Sequence, residues 1–217
     1  VGPCSHTGVM SVMPMFPVGS VLFPRGVLPL QVFEPRYRQL VADVLDGDRR
    51  FGVVLIERGS DVGGGDVRSN VGTLARMVQK GTLEDGRIIL LNVGTERLRV
   101  AKWLDDDPYP QAEVESHPDS HPGRGLRTAV DGAAAVWRKY TALAVEMGAE
   151  PEDLNVQLPA NPTEAAWELC VLAPLGPFDQ QQLLEADDAA IRMDLLKRML
   201  ELRRSDLERL MRHRGEP

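Results

Sequence analysis

Cysteine is nearly absent from this chain. Its two cysteines, Cys4 and Cys170, are too few and too far apart for a disulfide scaffold. No apolar run approaches the roughly 18 residues that a membrane span needs. The opening VGPCSHTGVMSVMPM has neither a charged leader region nor a continuous apolar stretch. No secretory signal is read there, and a reducing cytoplasm is the expected location. Histidine is scarce, with only His6, His117, His121 and His213, which leaves little for a Ser-His-Asp triad. The four lysines, Lys80, Lys102, Lys139 and Lys197, do not sit in apolar motifs beside a serine, as a Ser-Lys dyad requires. The phosphate-cradling patterns GxxxxGK[ST] and GxGxxG do not occur. Aromatic residues make up only 5% of the chain and the formal charge is −7. Residues 1–122 hold 13 basic and 16 acidic side chains, and residues 123–217 hold 12 and 16. Neither half has the basic excess from which a general nucleic-acid binder draws its affinity.

The remaining chemical candidates are isolated. Gly63 to Asp66, GGGD, has no lysine at phosphate-loop spacing and reads as a surface loop. His117 and His121 are four apart, but Pro118 and Pro122 oppose a helix and no further ligands cluster nearby. They read as a solvated linker. Cys4 and His6 are a coincidence in a tail, and Asp105 to Asp107 form a solvated strand end. No catalytic residue, metal site or cofactor is expected.

The patterning divides the chain in two. Its first half reads as short strands with turn punctuation: SVLF ending at Pro24, GVLPLQVF with Pro29 marking an edge or bulge, and RFGVVLIE from Arg50 to Glu57. A polar loop is expected over Arg58 to Asn70. A hairpin from Val71 to Val93 follows, around the Asp-Gly pair at 85–86. RLRVAKWL continues after a turn at Gly94, and PYPQAEVES supplies the last strand. One helix interrupts them. Tyr37, Leu40, Val41, Val44 and Leu45 fall on one helical face, with Glu34 and Pro35 at its start and Gly47 at its stop. From about Gly125 the pattern is helical. Pro162 opens the middle helix and Pro174 closes it. Asp179 and Gln182 read as a capping box, and Ile191, Leu195, Arg198, Met199 and Leu202 as a stripe extended by Leu207, Leu210 and Met211.

The densest stretch is FPRGVLPLQVFEPRYRQLV, Phe23 to Val41. With the preceding MFPVGSVL, it resembles the N-terminal substrate-recognition domain of ATP-dependent Lon proteases. GTLARMVQKGTLEDGRIILLNVGTERLRV, PYPQAEVE and QQQLLEADDAAIRMDLLKRML resemble later blocks of that domain, so the likeness covers roughly Met13 to Met211. It implies an α+β fold: a PUA-like β-barrel lobe with one internal helix, then an α-helical bundle lobe. The expected division is a tail over 1–12, a β-rich lobe over 13–116, a linker over 117–124 and a helical lobe over 125–214. The resemblance implies recognition of unfolded or tagged polypeptides, alone or as an adaptor for a separate protease in protein quality control. Lon proteases carry their AAA+ and Ser-Lys protease modules beyond this domain, so the stretch itself is expected to be non-enzymatic. An RNA-binding PUA-like protein and an enzyme with dispersed residues are the alternatives. Pro24, Arg25, Val27, Trp103 and Tyr109 are the candidate polypeptide-binding surface. Phe23, Pro29, Leu30, Phe33, Glu34, Pro35, Arg36, Tyr37, Gly72, Gly86, Gly94 and Arg97 are expected to be structural. Two positions depart from the family pattern: Arg25 stands where a glycine is common, and Gln31 where a histidine is common.

Overall fold

A computed structural model describes residues 10–59, 66–120, 125–149 and 156–214. The chain separates into two compact units, 1–118 and 119–217. The class is α+β, with six strands in the first unit.

Strand β1 spans Ser11–Val18, β2 Val27–Val32, β3 Arg50–Arg58, β4 Val67–Thr82, β5 Ile88–Trp103 and β6 Gln111–Ser116. The sheet order is β2-β5-β4-β3-β1-β6, and β6 also pairs with β5. Only β1 with β3 is parallel. Pairing therefore runs around β1, β3, β4, β5 and β6 and returns, while β2 hangs on β5 alone. The six strands together do not make a closed barrel, because β2 keeps an edge that pairs with no strand among the described residues. Helix α1, Pro35–Asp46, turns Tyr37, Leu40, Val41 and Val44 into a core that also holds Phe16, Val18, Leu30, Val32, Phe51 and Leu90.

Several local expectations are corrected. The first strand is not SVLF but Ser11–Val18, upstream of it, and it contains Pro14 and Pro17. The polar loop after Arg58 gives way to β4 at Val67, while residues 60–65, with most of GGGD, lie outside those described. No turn interrupts the chain at Gly94. There, β5 runs through with a bulge against Leu74 and Ala75. Its glycine is required for space: a Cβ at Gly94 would strike the Phe23 carbonyl, and one at Gly72 would strike the Val53 carbonyl. The expected linker is also anchored at two points. The His117 N–H donates to the Arg97 carbonyl (3.1 Å), and Asp119 pairs with Arg192. His121 lies outside the described residues.

The second unit contains α2, Leu126–Glu146; α3, Pro162–Leu172; α4, Pro177–Glu185; and α5, Ala189–Arg214. Asn161 caps α3 by accepting from the Thr163 N–H at 2.9 Å. Asp179 is not a cap. It lies in the first turn of α4, whose N-cap is Gly176. The stripe on α5 is also turned from its expected position. Ile191 is 56% and Leu202 69% exposed, whereas Arg192, Met193, Leu196 and Leu200 are fully buried. The buried face includes a charge. The Arg192 guanidinium meets Asp119 at 2.6 Å, donates to the carbonyls of Leu183 and Ala186, and lies 3.8 Å from the centre of the Trp167 ring. Burying this cation requires its anion, so Asp119 is a structural part of the helical unit. Burial also pushes the Cys170 thiol up to about 12. No helix among the described residues is long and apolar enough to cross a membrane.

The glycine crossings give a direct test. Gly72→Ala should lower the unfolding free energy by about 2–3 kcal/mol in urea titrations followed by circular dichroism. Gly81→Ala, where a Cβ meets open space, should stay within about 0.5 kcal/mol of the parent. Equal values would show that β3 and β4 do not approach as closely as described.

Candidate binding groove

The EPRY segment works as a corner. Pro35 occupies the first turn of α1, where its missing N–H costs nothing, and Glu34 is the extended N-cap residue. The Glu34 carboxylate accepts from Arg36 Nε at 3.1 Å instead of capping the helix. The Arg36 guanidinium lies 4.6 Å from the centre of the Tyr37 ring. Tyr37 in turn stacks on Phe16 of β1, with centroids 4.2 Å apart and planes 22° apart. The Tyr37–Phe16 stack thus ties the helix start to the end of β1, and Arg36 links that ring to Glu34.

Between these elements lies a groove of about 490 Å³. Phe16, Pro17, Val18, Gly19 and Ser20 form one wall. Leu28, Pro29, Leu30 and Gln31 of β2 form the other, and Phe33, Glu34 and Tyr37 complete it at the helix start. The lining is mainly apolar, and two of its polar side chains, Glu34 and Gln31, are engaged by arginines. Gln31 accepts from Arg87 Nη1 at 3.0 Å, and Arg87 also bonds Asp85 in the β4–β5 turn. Here the departure from histidine has a visible use, since the amide ties β2 to that hairpin tip. Phe33 is 51% exposed. It was expected to be structural; instead it rims the groove.

The five candidate surface residues do not gather there. Tyr109 is core: it is 7% exposed, and its hydroxyl donates to Asp43 at 2.7 Å. Pro24 is also buried, inside the turn closed by the Gly26 N–H on the Phe23 carbonyl (2.9 Å). Trp103 is half-buried beneath Arg68, 4.8 Å from the ring centre, and that guanidinium is held by Asp66 and Asp106. Arg25 and Val27 are exposed. Arg25 has a φ of 69°, in the left-handed region that favours glycine, so the departure at this position carries backbone strain. Of the residues expected to be structural, Phe23, Leu30, Tyr37, Gly72, Gly94 and Arg97 are buried, and Gly86 takes its positive φ in the hairpin turn. Phe16, Pro17, Val18, Gly19 and Ser20 are groove residues to which no role is assigned from the sequence. Only their place in MFPVGS pointed to them.

The sequence model of the ATP-dependent protease La (LON) substrate-binding domain matches residues 12–201. This chain belongs to that family. It is 30% identical over 207 residues to the Lon protease of Cytophaga hutchinsonii, covering 89% of this chain and 25% of the relative. It is 31% identical over 202 residues to Lon protease 2 of Sorangium cellulosum, covering 87% and 24%. The chain thus spans about a quarter of the length of these curated relatives. Among solved structures, a Lon N-terminal domain protein from Xanthomonas campestris matches with a TM-score of 0.61 and 29% identity, covering 86% of this chain and 96% of that one. The N-terminal domain of a Mycobacterium avium complex Lon protease matches with a TM-score of 0.63 at 17% identity, covering 90% and 99%, a likeness of fold. The matched part is the Lon substrate-binding domain, and its FPRGVLPLQVFEPRY block builds the groove wall and the corner beside it.

Burial raises the Tyr37 phenol to about 12. Burial and the Asp43 carboxylate do the same for Tyr109. A phenol raised in the fold contributes stability that is complete below its unfolded value near 10 and lost as pH rises through about 12. Tyrosinate absorbance should therefore show two of the three tyrosines ionising only near pH 12, together with loss of the strand signal in circular dichroism. Three normal titrations near pH 10 in the folded protein would contradict the placement of Tyr37 and Tyr109.

Proposed function

We propose that this Lon substrate-binding domain recognises exposed apolar segments of unfolded or tagged polypeptides in its groove, and binds them without cutting them. The apolar groove made by the family's own motif residues, rimmed by the half-exposed Phe33, is the observation that carries this reading. An aromatic ring held at a rim gains by being covered, and burying apolar area is non-directional, which suits varied clients. Two polar groups of the lining, Glu34 and Gln31, are satisfied by neighbouring arginines, which favours adhesion over proton transfer. On this reading the domain serves proteolysis in the cytoplasm as the recognition element or adaptor for a protease module.

The test is fluorescence anisotropy with labelled, reduced and carboxymethylated α-lactalbumin, using native α-lactalbumin as control. The unfolded form alone should bind saturably. Phe33→Ala should weaken it about five- to tenfold with an unchanged melting temperature, because half of the side chain lies in solvent. Phe178→Ala, an exposed aromatic of the helical unit, should change nothing. No binding at high micromolar concentration, or equal losses in both variants, would overturn the reading.

A further inference from the structure

We infer that the groove holds its polypeptide as an added β-strand, hydrogen-bonded to the outer edge of β2 through Val27, Pro29 and Gln31. The inference rests on the proposed recognition of polypeptides and states how the segment is held.

The alternation of β2 fixes which backbone groups face outward. At the head of the ladder the Gly94 N–H donates to the Gly26 carbonyl at 2.9 Å, so Gly26 turns toward β5. The register continues Val27 opposite Val93, Leu28 opposite Asn92, Pro29 opposite Leu91 and Leu30 opposite Leu90. In an antiparallel ladder, alternate residues bond to the partner strand. Leu28, Leu30 and Val32 therefore face β5, and Val27, Pro29 and Gln31 face away. Proline at 29 agrees with this phase, because its missing N–H then falls on the outer edge, where edge strands tolerate it. Among the described residues no strand meets that edge.

The groove follows this edge. Residues from both faces of β2 line it, Leu28 and Leu30 from the inner face and Pro29 and Gln31 from the outer. A cleft lined by both faces of one strand runs along the strand's edge, not over its surface. The outer edge offers the N–H and carbonyl of Val27, the carbonyl alone of Pro29, and the N–H and carbonyl of Gln31. Groups that repeat every second residue are matched by an extended backbone, which supplies donors and acceptors at the same period. This complementarity commits the occupant to an extended polypeptide segment, whose alternate apolar side chains then reach Phe16, Val18 and Phe33.

Alternate N-methylation reads the backbone bonds directly. Twelve-residue peptides tiled from carboxymethylated α-lactalbumin are screened, and the tightest is remade in two sets, methylated at odd or at even amides. One set should lose about tenfold or more in affinity and the other about twofold or less. Amide exchange by NMR should slow at Val27 and Gln31 when the parent peptide is bound. Saturable binding with equal losses in both sets and unchanged exchange at Val27 and Gln31 would overturn strand addition while leaving apolar capture standing. Absence of binding by any peptide or by the parent protein would overturn both. Protection of Val27 and Gln31 without peptide, rising with protein concentration, would assign the edge to a second copy of this chain and likewise overturn the inference.

Discussion

The strand unit depends on one constraint: β5 must serve three neighbours. Its sixteen residues pair with β4 along most of their length, with β2 through the first half and with β6 through the second. The bulge beside Gly94 separates the two halves. Because Gly94 has no Cβ, the Phe23 carbonyl can lie against it, and the Arg25 N–H and Gly26 carbonyl bond to its two backbone groups. That junction starts β2 on the first half of β5 and sets its phase. From there, six residues of strand deliver Phe33, Glu34 and Pro35 to the head of α1. The groove is a consequence of where this crossing puts β2.

The apolar motif then divides by geometry. Leu30 and Val32 alternate into the core, Leu28 is partly buried beside them, and Val27, Pro29 and Gln31 alternate out. Phe33 follows a different rule. It precedes the N-cap, a position whose apolar side chain usually packs on the fourth helical residue. That residue here is Arg38, a charged side chain, which donates Nε to the Phe33 carbonyl at 3.2 Å. The backbone at Phe33 is held while its ring stays half exposed. A large apolar side chain at the groove rim is thus built into the local sequence.

Much of this was legible because it rests on period and turn chemistry. Helix α1, the β4–β5 hairpin around Gly86, the edge character of β2 marked by Pro29, and the change to helices near residue 125 all follow from residue patterns. The failures have physical causes. Two prolines in eight residues hid β1, because a strand that pairs on different sides along its length can tolerate them. Gly94 reads as a turn in the sequence because a missing Cβ is visible there, but not the Phe23 carbonyl that needs the space. The stripe on α5 differs because the face that is buried includes a charged residue, Arg192, whose partner Asp119 is 73 residues away. Tyr109 and Pro24 were assigned to the surface by residue type, yet a tyrosine buries readily once its hydroxyl finds Asp43. Phe16 to Val18 joined the site only through the fold.

On the proposed reading, an edge that takes up extended chains must also avoid capturing its own kind, and β2 is short and interrupted by a proline. It is six residues long, and Pro29 removes the central outward donor, leaving two fully equipped residues, Val27 and Gln31. Each backbone bond contributes a net ~0.5–1.5 kcal/mol, and covering the exposed half of one phenylalanine adds about 1 kcal/mol. A single segment held this way is therefore weakly bound and quickly released. Sequence discrimination is also slight, since backbone bonds ignore side chains and the groove asks only for apolar groups at alternate positions. Weak, unselective binding of this kind matches the proposed recognition of varied polypeptides. Replacing Pro29 with a residue that has an N–H would complete the edge and strengthen binding. It would also remove the feature that keeps two such edges from pairing with each other.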